Sequence, residues 1–594
     1  MSEDPTAPVL GIERSLTGRR WVWRVGEDRV GLGIAQRAGL PEIVGRLLAA
    51  RGIAIEDCAH FLEPTLRALL PDPSLLADMD VAAERLADAV QRGETVGVFG
   101  DYDVDGACAG ALVTYYLRAL GCTVHPYVPD RIAEGYGPNA PALLALAGRG
   151  ATLIVCVDCG TAAAEALAAV RGAADVIVLD HHKAEGPVPQ VLATVNPNRL
   201  DDGSGMRALC AAAVSFLAVV AVSRALRRRG FFAARAEPDL MGCLDLVALA
   251  TICDMMPLTG LNRALVCQGL KVMARRQRPG LAALLAVSQA REALTTATCG
   301  FGLGPRINAA GRIDECDLGL RLLLCEDAEE AAALAQRLDA VNRQRQEVEA
   351  AILEPAVAAA TVQAEAGSAA LLVSDAGWHP GVVGIIAGRI KEQFNRPTCV
   401  AGVAGGIAKG SGRSVAGIDL GAAVIAARQM GILATGGGHA MAAGFSLPHE
   451  RMAEFHAFLN DRLAHAAALP GAADLMVEAA ITVQGATLEL ASHVHRLAPF
   501  GVGNEEPVFV LRNARICRAD RVGREGTTIR AYVAGEGGGP RLKAMLFRAR
   551  EGALTERLLA RDALPLHLAG HLRADEWNGQ ASACFALIDA APAG

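Results

Sequence analysis

Aromatic side chains are scarce in this chain: 14 Phe, 6 Tyr and 4 Trp make up 4% of its 594 residues. Alanine is abundant in their place, so slim helices in close contact are expected. An excess of positive charge is also missing. Lys+Arg 57 against Asp+Glu 64 leaves a net charge of −7, the reverse of the balance common in nucleic-acid-binding domains. The total does not decide the substrate, because an arginine-lined groove can coexist with an acidic whole. Long apolar runs are absent. The longest, Ala208–Val222, is about 15 residues against the roughly 20 that a membrane-spanning helix needs, and it reads as a buried helix. The opening MSEDPTAPVLG is polar and acidic and carries no hydrophobic leader. The expectation is a soluble, cytoplasmic chain with no membrane partner. There is no second CxxC to join Cys156–Cys159, which argues against zinc. The 15 cysteines are scattered through apolar runs (Cys108, Cys243, Cys267, Cys399) and read as buried free thiols in a reducing compartment.

At 52% hydrophobic and 20% charged the chain is globular, and it is too long for a single core. Its most informative run is DYDVDG, Asp101–Gly106. The apolar stretch Thr95–Gly100 precedes it and the helix-like Ala107–Leu120 follows. That places three carboxylates at the carboxyl end of a strand, where open α/β sheets bind ligands. Like charges so close repel unless a cation sits among them, and hard divalent ions want such oxygen ligands. The plain alternative is a solvated acidic turn.

Two further runs repeat the pattern. Leu153–Val157 ends in Asp158-Cys159-Gly160, and Val176–Leu179 ends in Asp180-His181-His182. Helix-like segments (Pro141–Ala147, Ala162–Arg171) separate them, so they read as βαβ units of a parallel sheet with all three acidic ends on one edge. A fourth apolar run, Leu244–Ile252, ends near Asp254. Mixed Asp and His ligands with several carboxylates suit two Mn²⁺ or Mg²⁺ ions.

Asp327–Glu365 reads as a long connector helix by composition and period, with Pro355 a kink or break. Asn342-Arg343-Gln344-Arg345-Gln346 gives it a polar, cationic face. A second α/β segment, about Ser368–Ala464, holds glycine-rich turns at Gly402–Ser414 and Gly436–Gly444. From about Asp474 the texture changes to short alternating runs: Met476–Thr482, Val508–Leu511, Ala514–Ala519, Thr528–Val533, Leu542–Phe547 and Leu566–Leu572. This is the pattern of a small β-barrel, with the OB-fold the natural candidate. Arg512, Arg515, Arg518, Arg521, Arg524 and Arg530 give it a basic stripe, and Phe509 and Phe547 are among its few aromatics. Near the start, Arg19-Arg20-Trp21-Val22-Trp23-Arg24 reads as a peripheral strand packed on the first domain, with direct contact to a nucleic-acid strand the alternative.

DYDVDG, VDCG, DHH and TICDMMPL together resemble, in order, the motifs of the DHH phosphoesterases. GPRINAAGR (Gly304–Arg312), GSGRS (Gly410–Ser414), GGGHAMAAG (Gly436–Gly444), LAPFGVGNEEP (Leu497–Pro507) and FLEPTLRALLPDPSLLADMD (Phe61–Asp80) narrow the resemblance. Over nearly its whole length the chain is similar to the bacterial RecJ family of single-strand-specific exonucleases. The resemblance implies an α/β fold: a parallel-sheet DHH domain and a smaller α/β DHHA1 domain joined by a long helix, plus a C-terminal all-β OB-fold barrel. The expected segments are an N-terminal extension (1–80), the DHH catalytic domain (81–326), the connector (327–365), DHHA1 (366–465) and the OB-fold (474–594).

The resemblance also implies roles. Asp103, Asp105, Asp158, His181 and Asp254 are metal ligands for two divalent ions, Mn²⁺ or Mg²⁺. Asp158 bridges them, and Asp101 is a further ligand or a partner of one. His182 meets a phosphate oxygen or the leaving group, and Asp180 either orients an imidazole or shapes the turn. His439 lies near the scissile bond. Arg306, Asn308 and Arg312 hold the polymer, and Ser411, Arg413 and Arg131 form a pocket for the 5′-terminal phosphate. For these arginines the alternative is a surface ion pair. The family's glycines and lysine in Ala208–Leu226 are replaced in this chain by Ala211, Ala213 and Leu217. The activity implied is metal-dependent 5′→3′ exonucleolysis of single-stranded DNA, by a monomer with single-strand-binding protein as a partner. The competing readings are a DHH phosphodiesterase on short oligonucleotides or cyclic dinucleotides, and a catalytically inactive DHH replication scaffold.

Overall fold

Five parallel strands carry the acidic motifs in the computed structural model of the chain. It describes residues 7–593 apart from 132, 185, 291–292, 466–473, 524–525, 561–563 and 578–579. Across the sheet the strands run Thr123–Tyr127, Thr95–Gly100, Leu153–Val157, Asp175–Leu179 and Ala193–Val195. Leu153–Val157 is buried at every position, as expected for a parallel strand covered on both faces. One face packs Val98, Val155 and Ile177 against Leu112, Phe216 and Leu249 of flanking helices. The other packs Phe99, Ile154 and Val178 against Leu143 and Leu167. Because every strand runs the same way, Asp101, Asp158 and Asp180 all emerge at one sheet edge. The run Leu244–Ile252 is a helix, Leu244–Cys253, and it presents Asp254 from its C-terminus.

The chain divides into two units. One is Pro64–Val348 with Pro499–Asn504, and it holds this sheet; the other is Met1–Glu63, Glu349–Ala498 and Glu505–Gly594. The helix Ala328–Glu365 supplies residues to both and runs through Pro355 without interruption. Pro355 is exposed while Ile352, Ala356 and Ala360 are buried. Burial of the opposite face thus outweighs the one hydrogen bond that a proline removes, a loss of about 3 kcal/mol.

The second unit contains a mixed sheet in the order Thr435–His439, Ala442–Pro448, Ile407–Arg413, Thr398–Ala404 and Leu371–Asp375. Its barrel runs through Phe509–Val522, Thr528–Gly535, Gly538–Leu546, Gln580–Pro592 and Leu566–Trp577, and closes by pairing of the first with the last. That closed five-strand barrel is the OB fold. The runs Val508–Leu511 and Ala514–Ala519 form one strand, bulged between Leu511 and Ala514, with Asn513 at φ 50°. Phe509 is fully buried, so of the two aromatics only Phe547, 55% exposed, is available at the surface. Arg518 and Arg521 pair with Asp520 and Glu551, and Arg524 lies outside the described residues.

The aromatic run near the start packs on the barrel, not on the first domain. Trp21–Trp23 pairs in parallel with Leu475–Val477. Trp21 is fully buried with Val9, Ile12, Val510, Ala569 and Ala591, and its Nε1 donates to Asp589 Oδ2 at 2.9 Å. The partner of so short a strand is fixed by a carboxylate 568 residues away, which no local pattern announces. Trp21→Ala leaves a cavity and removes the indole hydrogen bond from Oδ2 of the buried Asp589. It should destabilise the barrel-bearing unit by about 3–5 kcal/mol in denaturant unfolding of the full chain. A loss under about 1 kcal/mol would place the aromatic strand outside that core.

Candidate metal centre

Asp101, Asp103 and Asp105 are held by three different local devices. Asp101 follows the strand directly and is buried. Asp103 caps the helix Val104–Ala119, its carboxylate accepting from Gly106 N at 3.0 Å. Gly106 is required there, since a Cβ would lie 2.5 Å from the Asp101 carbonyl oxygen. Asp105 accepts from Ala211 N at 2.6 Å and Ala212 N at 2.8 Å, at the start of the helix Ala211–Arg228. The alanines at this site do not disturb that contact, because the amides serve whatever side chains they carry.

Asp158 sits just beyond its strand at φ 60°, a left-handed conformation that costs a non-glycine residue about 1 kcal/mol. His181 Nε2 lies 3.2 Å from Asp158 Oδ1, 3.5 Å from Asp254 Oδ2 and 3.6 Å from Asp105 Oδ2. Ligand atoms of Asp158, His181 and His182 come within 4.8 Å of one another. So do those of Asp105, His181 and Asp254, and those of Asp101, Asp103 and Asp158. Asp158 and His181 are each shared by two of these triads.

Asp180 faces the imidazoles. Its Oδ1 accepts from His181 N at 2.7 Å, His182 N at 3.1 Å and His182 Nδ1 at 2.8 Å; its Oδ2 accepts from Thr161 N at 3.0 Å. Burial alone would raise this carboxyl, but the hydrogen bonds and charge of His182, with those of Thr161, hold it below the usual range. The same partnership acts on His182. Burial opposes its charge, and the bond to Asp180 with the charges of Asp180, Asp101 and Asp254 outweighs that and raises it to about 9.

The other carboxyls go the opposite way. Burial, then Asp103, pushes Asp101 up to about 8. Burial, then Asp105 and Asp103, does the same to Asp254. Asp158 is likewise raised by burial and then by its aspartate neighbours, and Asp105 by burial, which outweighs the opposing charge of His181. Oδ1 of Asp101, Oδ1 of Asp158 and Oδ2 of Asp254 are buried and accept no hydrogen bond. Buried, mutually repelling carboxylates with orphaned oxygens beside an imidazole are the donor set for Mn²⁺ or Mg²⁺.

One neighbour escaped the sequence reading. Tyr136 OH lies 3.2 and 3.3 Å from the two ring nitrogens of His182 and 3.4 Å from the Asp158 carbonyl oxygen. The signal was the tripeptide Gly135-Tyr136-Gly137, whose glycines both take positive φ. Arg131 stacks over the Tyr102 ring at 5.0 Å. Arg306 is bound to Asp339 at 2.8–2.9 Å and to the Gly302 carbonyl oxygen at 2.6 Å. Asn308 Oδ1 accepts from Val104 N at 3.2 Å. These contacts tie the helix Gly304–Ile313 to Asp339 and to the acidic loop. Arg312, on the same helix, is half-buried.

Ser411, Arg413 and His439 belong to the other unit. Arg413 Nη1 donates to Ser411 Oγ at 2.8 Å. A Cβ at Gly384, in the first turn of the helix Val383–Phe394, would stand 3.1 Å from both Ser411 Oγ and Arg413 Nη2. That glycine leaves the side chains facing the helix's first turn. Ala442 pairs with His439 on one side and Arg413 on the other, so His439 and Arg413 align across the sheet.

Family profiles match the chain at 95–251 (DHH family, N-terminal domain), 358–465 (DHHA1 domain) and 477–589 (RecJ OB domain). The single-stranded-DNA-specific exonuclease RecJ of Dickeya dadantii is 39% identical over 525 residues, 86% of this chain and 89% of that protein. The chain belongs to the RecJ family. A crystal structure of RecJ in complex with Mn²⁺ from Thermus thermophilus superposes with a TM-score of 0.78 at 30% identity, covering 95% of this chain and 78% of that one. A structure of exonuclease RecJ bound to manganese, 35% identical, gives 0.56 over 67% of this chain and 96% of the other.

The raised carboxyls set a pH dependence for this RecJ-family chain. Each holds its proton to a higher pH folded than unfolded. Between about pH 4, the ordinary carboxylate value, and the folded value near 8 the native state therefore binds more protons. Metal-free stability falls as pH rises through that window. His182, raised to about 9, acts in the same direction above its ordinary value. Bound cations replace the protons and remove the penalty. With chelator, the melting temperature should drop from about pH 6 to about pH 8, and Mn²⁺ should abolish the drop. A metal-free melting temperature that rises over that interval would mean that folding does not raise these carboxyls.

Proposed function

We propose that the chain is a Mn²⁺- or Mg²⁺-dependent exonuclease that hydrolyses single-stranded DNA from its 5′ end to mononucleotides in repair and recombination. The observation that carries the reading is the set of buried aspartates with orphaned oxygens around His181 in a RecJ-family chain. Asp101, Asp103, Asp105, Asp158, His181 and Asp254 hold two ions, with Asp158 between them. When bound, the ions activate a water and offset charge on the phosphate.

The chain's own groups do the rest. His182, kept protonated by Asp180, presents an imidazolium to the phosphate or the departing oxygen. Tyr136 fixes the ring's orientation. Arg306, Asn308 and Arg312 hold the strand, and Arg131, stacked over Tyr102, contributes to recognition of the terminal phosphate. Ser411 and Arg413, facing the first turn of Val383–Phe394, take the terminal phosphate; a guanidinium fork matches its oxygens. His439, aligned with Arg413, meets the strand on the same unit. The barrel's arginines track the backbone through charge, and Phe547 is an exposed aromatic beside them in sequence. The reading assigns catalysis to residues 81–326, terminal-phosphate binding to 366–465 and strand tracking to 474–594, with 327–365 as connector and 1–80 as extension. It includes a cytoplasmic monomer that receives strands from single-strand-binding protein. A small-substrate phosphodiesterase needs no polymer track, and an inactive scaffold has no reason to keep a full ligand set.

The test uses 5′- and 3′-labelled single strands, a duplex and a dinucleotide, each with Mn²⁺, Mg²⁺ and chelator. A 5′ label should be released first as a mononucleotide, with the duplex spared and chelator abolishing activity. Preference for the dinucleotide, or release from the 3′ end, would overturn the reading. Arg413→Ala should cost on the order of tenfold more on 5′-phosphorylated than on 5′-hydroxyl strands, and equal losses would remove Arg413 from the terminal pocket.

A further inference from the structure

LAPFGVGNEEP is the motif that neither the metal centre nor the barrel absorbs. Its residues Pro499–Asn504 belong to the catalytic unit, although Ala498 and Glu505 on either side belong to the other. The segment is a tight turn. Gly501 and Asn504 exchange backbone hydrogen bonds of 3.0 and 3.1 Å. Asn504, fully buried, donates from Nδ2 to the Pro499 carbonyl oxygen at 2.8 Å. Gly503 takes φ +73°, the left-handed conformation that glycine adopts freely.

This turn grips the loop that follows Asp254. Met255 is at φ 59° and swings the chain away from the helix Leu244–Cys253. A non-glycine residue keeps such a conformation only where its surroundings over-determine it. On the helix side, Met255 N and Met256 N donate back to the Ile252 and Thr251 carbonyls. On the far side, the fixed point is the turn: Leu258 N donates to the Val502 carbonyl oxygen at 2.7 Å. The fit leaves little room, since a Cβ on Gly501 would come 2.7 Å from Leu258 Cδ1 and one on Gly503 3.2 Å from Pro257 Cβ. Buried Arg263 donates to the Pro499 carbonyl oxygen at 3.4 Å. Thr296 Oγ1 donates to that of Phe500 at 2.7 Å, just ahead of the helix Gly304–Ile313 whose Asn308 holds Val104 N in the acidic loop.

We propose that Pro499–Asn504 is a latch that positions Asp254 for metal, so that a turn inserted from the C-terminal half of the sequence completes the centre. The inference rests on the reading of Asp254 as a ligand. Groups that orient metal ligands change affinity about 10–100-fold when lost. The test is Mn²⁺ binding to the full chain, followed by the electron paramagnetic resonance of free Mn²⁺ and independent of turnover. Asn504→Ala should weaken binding about tenfold. Thr296→Val, a milder change that keeps the loop testable should Asn504→Ala fail to fold, should weaken it about threefold. In an Asp254→Asn background neither substitution should weaken binding further. Unchanged binding in folded variants, or undiminished losses in that background, would overturn the latch alone. A wild-type chain that binds no Mn²⁺ would overturn both the latch and the proposed function.

Discussion

Repulsion among buried carboxylates is the constraint around which the catalytic unit is organised. Asp101, Asp105 and Asp158 are almost completely buried, and Asp254 adds a fourth charge from a separate helix. Without a cation they keep protons at a pH where exposed aspartates have lost them. The backbone bears part of the load. Two helix-start amides donate to Asp105, a left-handed conformation places Asp158, and a glycine without room for a Cβ brings the acidic loop against itself. Such features persist only if occupancy by metal returns what they cost the empty site.

The two histidines divide the labour through Asp180. His181 turns its Nε2 to three carboxylates, while His182 is tied to Asp180 and approached by Tyr136. Adjacent residues thus differ in setting because one carboxylate accepts from both backbone amides and from the His182 ring alone. The arginines differ in setting as well. Arg306 is bound by Asp339 and the Gly302 carbonyl oxygen, whereas Arg413 faces a helix's first turn.

The sheet and the carboxylates at its edge were legible because a parallel strand is a short apolar run and its carboxyl end is marked by the change to Asp. DYDVDG, VDCG and DHH each show that boundary. Asp254 was found at the end of the apolar run Leu244–Ile252, but its helix was not, since so short an apolar run has no period that separates a strand from a buried helix. Tyr136 was missed because a tyrosine between two glycines looks like any turn. The destination of the aromatic strand depended on Asp589, and the final barrel strand, Gln580–Pro592, is buried almost continuously from Cys584 to Ala591 and so shows no alternation. The setting of 499–504 in the catalytic unit is a long-range fact that local sequence does not encode.

The central claim is that this carboxylate edge is a two-ion centre. Anomalous diffraction at the manganese edge, from crystals of the full chain grown with Mn²⁺, tests it directly. The account predicts two strong peaks a few ångströms apart, ligated by Asp101, Asp103, Asp105, Asp158, His181 and Asp254 and flanking Asp158. Peaks elsewhere, or a carboxylate edge without anomalous signal at saturating Mn²⁺, would contradict it.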